Sequence, residues 1–431
     1  INTMHSVGRA GARPVTTLST STIGGCMNKV LLTATAAMLL GSQARAETPS
    51  LEQLHRIIQQ QQSEIDALKQ QNERQDQQVE ATAQALEQAS TDAAAGNAWY
   101  QRTHLGGYAE MHYNNLKDHG PQGADKSEID FHRFVLFIGH EFNAKTRFYS
   151  ELELEHAIAS AEDAGEIELE QAYIEYDYIG AQQLKAGLFL IPVGILNETH
   201  EPETFYGVER NPIEYNIIPS TWWEGGVAFN GRIADGLRYD VAISSGLFID
   251  VEKDFEVRSG RQKVSEARAD ALAYTGRLKY TGVRGLELAA TVQYQEDVAQ
   301  DTAAKAIPAV LLEAHAAYQY QGFGLRALYA RWDIDDAIEE VAAGADEQTG
   351  WYVEPSYRFN DHIGLFVRYS DWDNQAGADL DTGRNQIDIG VNYWLTDNVV
   401  FKFDYQNQDV EDDQARELEL HGFNLGVGWS F

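Results

Sequence analysis

The stretch FNLGVGWSF, residues 423–431, alternates in polarity at every position. Its odd-numbered residues are apolar and largely aromatic, ending on Phe431, whereas its even-numbered residues are small or polar. Successive side chains of a β-strand point to opposite faces, so this alternation predicts a strand with one apolar face. A protein surrounded by water gains nothing from exposing such a face. We therefore expect the odd-numbered face to meet lipid and the even-numbered face to look into water.

The same alternation recurs in sixteen segments from about residue 104 onward. They lie near 104–113, 129–142, 146–156, 167–178, 182–190, 225–232, 236–248, 271–281, 285–296, 309–320, 323–333, 349–359, 362–371, 385–395, 398–408 and 416–431. Short connections, such as 143–145 and 321–322, alternate with long ones, such as 114–128 and 334–348. Short turns at one end and long loops at the other are typical of outer-membrane barrels, and a soluble β-protein gives no reason for them.

These segments predict an all-β fold class: a 16-stranded antiparallel transmembrane β-barrel over residues 99–431, preceded by an N-terminal α-helical coiled coil. Unpaired backbone groups are too costly in lipid, so the sheet must close on itself. The last strand must then pair with the first, near residues 105–113. Trp429 and Phe431 would lie at the membrane interface, where aromatic rings are enriched.

Three segments precede the predicted barrel. Residues 1–26 begin without Met and are interpreted as upstream translated sequence, with a lipoprotein signal at IGGC as the alternative. Residues 27–46 combine a basic start, a short apolar run and a small-residue site, which predicts a signal peptide cleaved after Ala46. A transmembrane anchor is the alternative there, but the run is shorter than the roughly 18 residues that a span needs.

Residues 47–98 are predicted to form a periplasmic coiled coil and linker. Apolar residues recur at heptad spacing from Leu51 to Leu86, and Gln-rich positions separate them. A helix this polar cannot bury its apolar stripe alone, so the pattern predicts oligomerisation. The final part, STDAAAGNA at 90–98, is interpreted as the linker.

Composition argues against several classes of function. The formal net charge is −33, from 33 basic and 66 acidic residues, which disfavours nucleic acid as a partner. The single cysteine precedes Met27, so the exported chain would have no thiol for disulfides or catalysis. The sequence has no H-E-x-x-H, P-loop or G-x-S-x-G motif, so we expect neither an enzyme nor a cofactor. A hydrolase built on the barrel is a distant alternative.

Charged residues at inward-facing strand positions predict a water-filled lumen, because a core this charged would not pack unpaired. Glu151, Glu153 and Glu155 share one face of a strand and predict an acidic wall. The opposite, basic side is interpreted as Arg133, Lys185, Arg210, Arg277 and Lys279. Opposed walls of opposite sign would set a transverse field that filters ions. Close carboxylates can also bind a divalent cation, but a plain acidic wall is the simpler interpretation and no metal site is predicted.

The longest connection, residues 191–224, is rich in apolar residues and carries four of the nine prolines of the chain. A loop suspended in water would not expose so much apolar surface. We predict that it folds inward and narrows the pore, which would bring His200, Glu201, Glu209 and Arg210 to a constriction. Packing on a neighbouring subunit and capping outside the barrel are the alternatives.

Several motifs resemble the phosphate-selective porin O and P family of Gram-negative outer-membrane porins. They are EIDFHRFVLFIGHEF (128–142), ELELEHA (151–157), EQAYIEYDY (170–178), LKAGLFLIPVGILNETHEPETFYGVERNPIEYN (184–216) and the terminal strand. The resemblance implies a sixteen-stranded barrel, a trimer, a third external loop folded into the pore and a terminal Phe431 that acts as an assembly signal. Family members often carry several arginines in the second strand, whereas this sequence has only Arg133 there.

Together these features predict a homotrimeric porin of the Gram-negative outer membrane, with its coiled coil in the periplasm. It would let small hydrophilic solutes, including anions such as phosphate or carboxylates, diffuse through a charged constriction while lipid surrounds the barrel. The alternative function is a structural envelope tether, in which the barrel is the membrane anchor and the coiled coil contacts the cell wall.

Overall fold

The computed structural model describes residues 97–120, 123–160, 165–250, 256–303, 305–335, 344–379, 381–410 and 419–431, together with four helical positions at 52, 55, 59 and 62. The chain divides into two compact units, Ile1–Glu87 and Gln88–Phe431, and the second contains the barrel. The predictions for 1–26, for the signal peptide cleaved after Ala46 and for the coiled coil lie outside the described residues, apart from those four positions.

Sixteen antiparallel strands form one closed barrel, which confirms the predicted fold class. In chain order they are β1 Thr103–Asp118, β2 Lys126–Asn143, β3 Thr146–Glu155, β4 Ile167–Ile179, β5 Gln182–Leu190, β6 Trp223–Ala234, β7 Leu237–Ser244, β8 Ala273–Tyr280, β9 Leu286–Gln295, β10 Ala309–Tyr320, β11 Phe323–Ile334, β12 Glu347–Arg358, β13 Ile363–Asp373, β14 Arg384–Thr396, β15 Val399–Val410 and β16 Leu420–Ser430. A short 3-10 helix, Asn97–Arg102, leads into β1. Among the described residues, no helix has the length and apolarity needed to cross a membrane.

The barrel closes where β16 pairs with β1. Met111 lies opposite Val427, and the ladder continues from Tyr108 to Asp118. Beyond the end of β16, the backbone N–H of Phe431 donates to the Gly107 carbonyl at 2.9 Å, and the Gly107 N–H donates to the Phe431 carbonyl at 3.0 Å. The terminal residue thus completes the closing ladder, and the predicted pairing of the last strand with the first is confirmed.

The strands present an apolar face outward, and many of their inward-facing residues are polar. On β15, Phe401 and Phe403 are exposed on the outer surface, whereas Lys402 and Asp404 are buried inside. On β16, Leu425 is exposed and Asn424 is buried. The outer face is the apolar band that lipid requires.

The connection between β5 and β6, residues 191–222, lies inside the barrel, and we call it the inward loop. Its Ile213, Ile217 and Trp222 are buried in an apolar cluster that includes Trp332 of β11 and Tyr352 of β12. The Trp332 indole N–H donates to the Ile217 carbonyl at 2.9 Å. This side of the interior is therefore a packed apolar core and not water.

The small inner face of β16 receives the inward loop instead of looking into water. A β-carbon placed on Gly426 would lie 3.1 Å from a methyl carbon of Val208, and one on Gly428 would overlap Pro202. On the far wall, a β-carbon on Gly350 would lie 2.9 Å from Ile217. The expectation of a water-facing surface was wrong, because these glycines make room for the loop.

Candidate functional site

The two ends of the inward loop are held together by a buried amide. Asn197 donates to the carbonyl oxygens of Ile191 at 2.8 Å and Trp222 at 3.0 Å, and its own oxygen accepts the Trp222 N–H at 2.7 Å. These bonds tie the start of the loop to its end. The loop therefore has a fixed base where it enters and leaves the barrel wall.

A buried carboxylate organises the interior of the loop. Glu214 accepts the backbone N–H groups of Ile195 and Leu196, each at 2.6 Å, and the Asn211 amide at 2.9 Å. The Tyr352 hydroxyl of β12 donates to the same carboxylate at 3.2 Å. A carboxylate with this many donors is satisfied by the protein itself, so Glu214 has a structural function in the loop.

Residues 202–209 of the inward loop, which we call the crossing segment, are attached to the wall on the far side of the barrel. Lys402 of β15 donates to the Gly207 carbonyl at 2.8 Å, and Asp404 accepts the Val208 N–H at 2.6 Å. The predicted constriction residue Glu209 accepts hydrogen bonds from His112 at 3.2 Å and from Asn114 of β1 at 3.0 Å. Backbone groups of the loop thus replace water as partners of buried wall charges.

The acidic wall lies under the first part of the loop. Glu151 and Glu153 are each about 1% exposed, whereas Glu155 is half-buried at the end of β3. His200 points at this wall, with its Nε2 atom 3.4 Å from Glu151 Oε1. Glu201 is half-buried next to it, and its carbonyl oxygen accepts the Thr204 N–H at 2.9 Å. His200 and Glu151 are therefore brought together, while Glu201 makes a local turn.

The five cations interpreted as one basic side are divided between two regions, because Lys185, Arg277 and Lys279 all act on Glu198, whereas Arg133 lies elsewhere. Arg133 is next to the acidic wall, where its Nε atom is 2.8 Å from Glu110 and its Nη1 atom is 3.7 Å from Glu153. Arg277 is bound to Glu198 of the loop and lies 2.9 Å from Asp240. Buried guanidinium groups need carboxylate partners, so each of these arginines lies beside its own carboxylates and the two do not share one wall.

The remaining cations of that set are separated by height in the barrel. Lys185 and Lys279 lie near the short-turn ends of β5 and β8. Lys185 stands 4.9 Å over the ring of Tyr173, and Lys279 is 3.4 Å from Glu287. Arg210 lies on the loop and lines a cavity at the long-loop end instead. The five cations thus do not form one continuous wall, and a transverse field that filters ions stays a prediction.

A cavity of about 900 Å³, which we call the outer cavity, lies at the long-loop end above the inward loop. Seven Lys or Arg side chains and six carboxylates line it. Two of those carboxylates are already paired: Lys263, itself one of the seven cations, bridges Glu168 and the neighbouring Glu166, and His132 and His156 lie 3.2 Å and 2.9 Å from Asp130. The outer cavity thus has a slight excess of basic over acidic side chains, in a chain whose net charge is −33.

Three arginines that border the outer cavity converge on the end of the inward loop, and we call Arg210, Arg258 and Arg261 the arginine cluster. Arg258 donates to the Ser220 carbonyl at 2.5 Å and Arg261 to the Thr221 carbonyl at 2.6 Å. Arg210 donates to the Thr221 hydroxyl at 2.8 Å. Among the described residues, no carboxylate lies within ion-pair distance of any of the three.

The positive charges of the arginine cluster lie close enough to one another to repel. Burial and then the charge of Arg261 lower the pKa of Arg258, and burial also lowers the pKa of Arg261. In the described part of the chain, the Nη2 atom of Arg210 is buried and has no hydrogen-bond acceptor. An anion that entered here would relieve the repulsion and accept the free N–H groups.

Sequence reasoning found Arg210 but missed Arg258 and Arg261. Both lie in the connection between β7 and β8, where alternation along a strand cannot tell which side chains point inward. A signal was present nevertheless: VRSGRQK, residues 257–263, is a basic stretch in a chain whose net charge is −33. The charge of a single loop can thus indicate functional residues where strand alternation gives no prediction.

Comparisons with known proteins agree with this architecture. The sequence model of a family described as Gram-negative porin matches residues 81–413. An uncharacterized protein of Aquifex aeolicus (strain VF5) is 31% identical over 357 residues, which cover 76% of this chain and 79% of that relative.

Two solved structures share the fold at low sequence identity. The anion-selective porin from Comamonas acidovorans has a TM-score of 0.55 at 12% identity, over 76% of this chain and 99% of that one. The trimer form of OmpT, an outer membrane protein of Vibrio cholerae, has a TM-score of 0.50 at 11% identity, again over 76% and 99%. At these identities the similarity concerns the fold alone.

Proposed function

Because this chain belongs to the Gram-negative porin family, we propose that it is a passive diffusion channel whose narrow zone, at the inward loop, favours small hydrophilic anions. The protein is an outer-membrane protein, and the family and fold point to a channel rather than an enzyme. The solutes would be small carboxylates or phosphate, which are planar or tetrahedral anions that accept several hydrogen bonds at once.

The arginine cluster carries this proposal. Its three guanidinium groups border the outer cavity, hydrogen-bond to backbone and hydroxyl oxygens, and have no carboxylate partner among the described residues. Guanidinium groups bind carboxylate and phosphate through paired N–H donors, which ammonium groups cannot do. A cation approaching the same place would be repelled. The Comamonas neighbour is described as an anion-selective porin, which is compatible with this selectivity.

The inward loop would set the size limit of the channel. It crosses the interior and is attached to β15 through Lys402 and Asp404. Its apolar side packs against inward-facing residues of β6, β7 and β10–β13, so solutes would pass along the polar side. Glu209, His200 and Glu201 would line or support that narrow zone, while Lys185, Arg277 and Lys279 would act nearer the short-turn end.

We further propose a homotrimer embedded in outer-membrane lipid. The trimer form of the Vibrio cholerae neighbour and the apolar outer surface of the strands support this arrangement. The resemblance to the phosphate-selective O and P family, the coiled coil and its contact with the cell wall stay predictions. A tether function depends on residues 47–98, of which the structure describes only a few positions.

Reversal potentials in a salt gradient across a planar bilayer test the proposal. The unmodified protein should be anion-selective, and Arg258→Gln or Arg261→Gln should shift the reversal potential toward that of a cation-selective pore. Arg331→Gln is a matched control, because Arg331 already pairs with Asp333 at 2.6 Å and with Glu347 at 2.8 Å. Cation selectivity of the unmodified protein, or an unchanged potential in both cluster variants, would refute anion selection.

A further inference from the structure

Three buried side chains outside the arginine cluster meet where the inward loop touches the acidic wall. His200 comes from the loop, Glu151 from β3 and Glu170 from β4. Their exposed fractions are 3%, 1% and 1%. Two carboxylates share one imidazole here, and the charges of Arg133 and Arg210 also act on Glu170, although neither guanidinium forms an ion pair with Glu151 or Glu170. Buried charges persist only when they are paired or bound to a metal ion.

A β-bulge brings the second carboxylate into the group. In the pairing of β3 with β4, Glu151 lies opposite Gln171 and Leu152 lies opposite Leu169, so Glu170 is an extra residue on β4. Bulges re-aim side chains relative to the regular alternation. Here the bulge lets Glu170 and Gln171 both face the interior beside Glu151.

The distances within the group suit coordination better than direct hydrogen bonds. The Nε2 atom of His200 is 3.4 Å from Glu151 Oε1 and 3.6 Å from Glu170 Oε2. A hydrogen bond to nitrogen would span about 2.7–3.2 Å. Ligand atoms of a tetrahedral zinc ion, bound at about 2.0–2.2 Å, lie roughly 3.3–3.6 Å from one another. The two distances from His200 Nε2 therefore match the spacing of ligands around one small dication, and all three ligand atoms lie within 4.8 Å of one another.

The same atoms are free to act as ligands. Within the described part of the chain, Glu151 Oε1, Glu170 Oε2 and His200 Nε2 are buried and have no hydrogen-bond partner. Unsatisfied buried polar atoms are rare and call for an explanation such as an unobserved ion. Because all three belong to one group, a single bound cation would satisfy them together.

A neighbouring side chain orients the ligands. Gln171 donates from Nε2 to the other oxygen of Glu151, Oε2, at 2.6 Å, which leaves Oε1 directed at His200. The ring of Tyr108 stands edge-on to the His200 ring at 5.9 Å. Metal sites commonly have such outer partners, which fix the direction of the ligand atoms.

We propose that Glu151, Glu170 and His200 form a binding site for a divalent transition-metal ion of the zinc type, which fastens the inward loop to the barrel wall. Imidazole and carboxylate together suit zinc, and the charge of the ion would balance both carboxylates. Calcium fits less well, because it takes six to eight oxygen ligands at about 2.3–2.6 Å. A bound ion would thus attach the inward loop, through His200, to β3 and β4 of the barrel wall.

A second group of potential ligands provides a control within the same molecule. Asp130, His132 and His156 also place ligand atoms close together, at the edge of the outer cavity. There the Nε2 atom of His132 lies 2.8 Å from an Arg133 guanidinium nitrogen, and a fixed positive charge at that distance disfavours a dication. We therefore expect zinc at the His200 site and not at this one.

Zinc titration of the metal-stripped full-length protein in detergent, with bound metal counted by elemental analysis after desalting, tests the site. One zinc ion per chain is expected. His200→Gln should abolish the stoichiometric binding, Gln171→Leu should weaken it about 10–100-fold through loss of the outer partner, and His156→Gln should leave it unchanged. Absence of zinc from the unmodified protein, or loss in His156→Gln with retention in His200→Gln, would overturn the proposal.

X-ray absorption of the zinc-loaded unmodified protein keeps the test independent of whether the variants fold. One imidazole nitrogen with carboxylate oxygens at about 2.0–2.2 Å would support the site. A spectrum with two imidazoles, or with oxygen ligands only, would place the ion elsewhere and reject the assignment.

Discussion

Gly428 of β16 lies against Pro202 of the inward loop so closely that a β-carbon on the glycine would overlap the proline ring. The nearest atom outside Pro202 to such a β-carbon is the Ala109 carbonyl oxygen, at 3.7 Å, which is an ordinary contact. A larger residue at 428 would therefore conflict with the loop and not with the strand pairing. This pair of residues therefore limits how closely the inward loop can approach the closing strand.

We predict that Gly428→Ala displaces the crossing segment of the loop and raises single-channel conductance. Overlap of this kind forces neighbouring groups to move and costs about 1–3 kcal/mol in a packed interior. The control is Gly276→Ala on β8, where the nearest atom to an added β-carbon, in Val292, is 3.9 Å away. Equal conductance of the two variants in planar bilayers would show that the loop does not limit the current.

Lys402→Met should loosen the attachment of the loop to β15. The methionine removes the ammonium group, which lies 3.5 Å from the centroid of the Phe205 ring and donates to the Gly207 carbonyl, and it leaves that oxygen unsatisfied. Loss of a buried hydrogen bond of this kind costs about 1–3 kcal/mol of unfolding free energy. Urea unfolding of the refolded barrel, followed by tryptophan fluorescence, measures it.

Lys117→Met is the control for that variant. Lys117 pairs with Asp125 at 2.5 Å, but both side chains are exposed at the barrel rim. Exposed ion pairs contribute about 0–1 kcal/mol, so this change should have little effect on unfolding. A loss of stability in Lys117→Met as large as that in Lys402→Met would contradict a special function of Lys402.

Phe431→Ala separates closure of the barrel from recognition during assembly. The backbone bonds to Gly107 do not need the side chain, so they remain, while the ring contact with Phe134, 6.3 Å between centroids, is lost. We expect the variant to refold in vitro with a stability loss of about 0.5–1.5 kcal/mol, typical of an aromatic pair. If Phe431 is also an assembly signal, the amount of the Phe431→Ala variant in the outer membrane of cells should fall much more than its loss of stability explains. Normal cellular levels would argue against a signal.

Arg258→Lys distinguishes charge from hydrogen-bond geometry in the arginine cluster. Lysine keeps the positive charge but lacks the planar pair of donors, and it would stack less well on the Tyr215 ring, which lies 3.6 Å from the guanidinium. We expect an unchanged reversal potential in potassium chloride and about tenfold weaker block of the current by phosphate or a dicarboxylate, equivalent to about 1.4 kcal/mol. Undiminished block would mean that the cluster acts only through its charge.

The barrel itself was predictable from the sequence, because strand alternation is a local property. Residues such as Phe401 and Phe403 alternate with Lys402 and Asp404, and each strand repeats the pattern independently of its neighbours. The pairing of β16 with β1 then follows from the need to satisfy backbone groups in lipid. Nothing beyond the chain order of the strands is needed for this inference.

The interior was less predictable, because it depends on contacts between distant parts of the chain. Strand parity identified Arg133 and Arg277 as inward-facing, but only the fold shows that Glu110 and Glu198 lie next to them. The glycines on the inward face of the last strand were informative, but we interpreted them as a surface that faces water. A glycine such as Gly428 on a strand facing inward indicates a close neighbour, and here that neighbour is the loop.

The attachment of the inward loop to β15 also has a consequence for the order of folding. The hydrogen bond between Val208 and Asp404 joins residues that are 196 positions apart, and that between Lys402 and Gly207 joins residues 195 apart. Contacts of such long sequence separation form late and slowly. The barrel therefore reaches its final permeability only after β15 has been added to the sheet. A folding intermediate that lacks β15 and β16 would have its loop without an anchor, so narrowing of the channel and completion of the barrel would happen together.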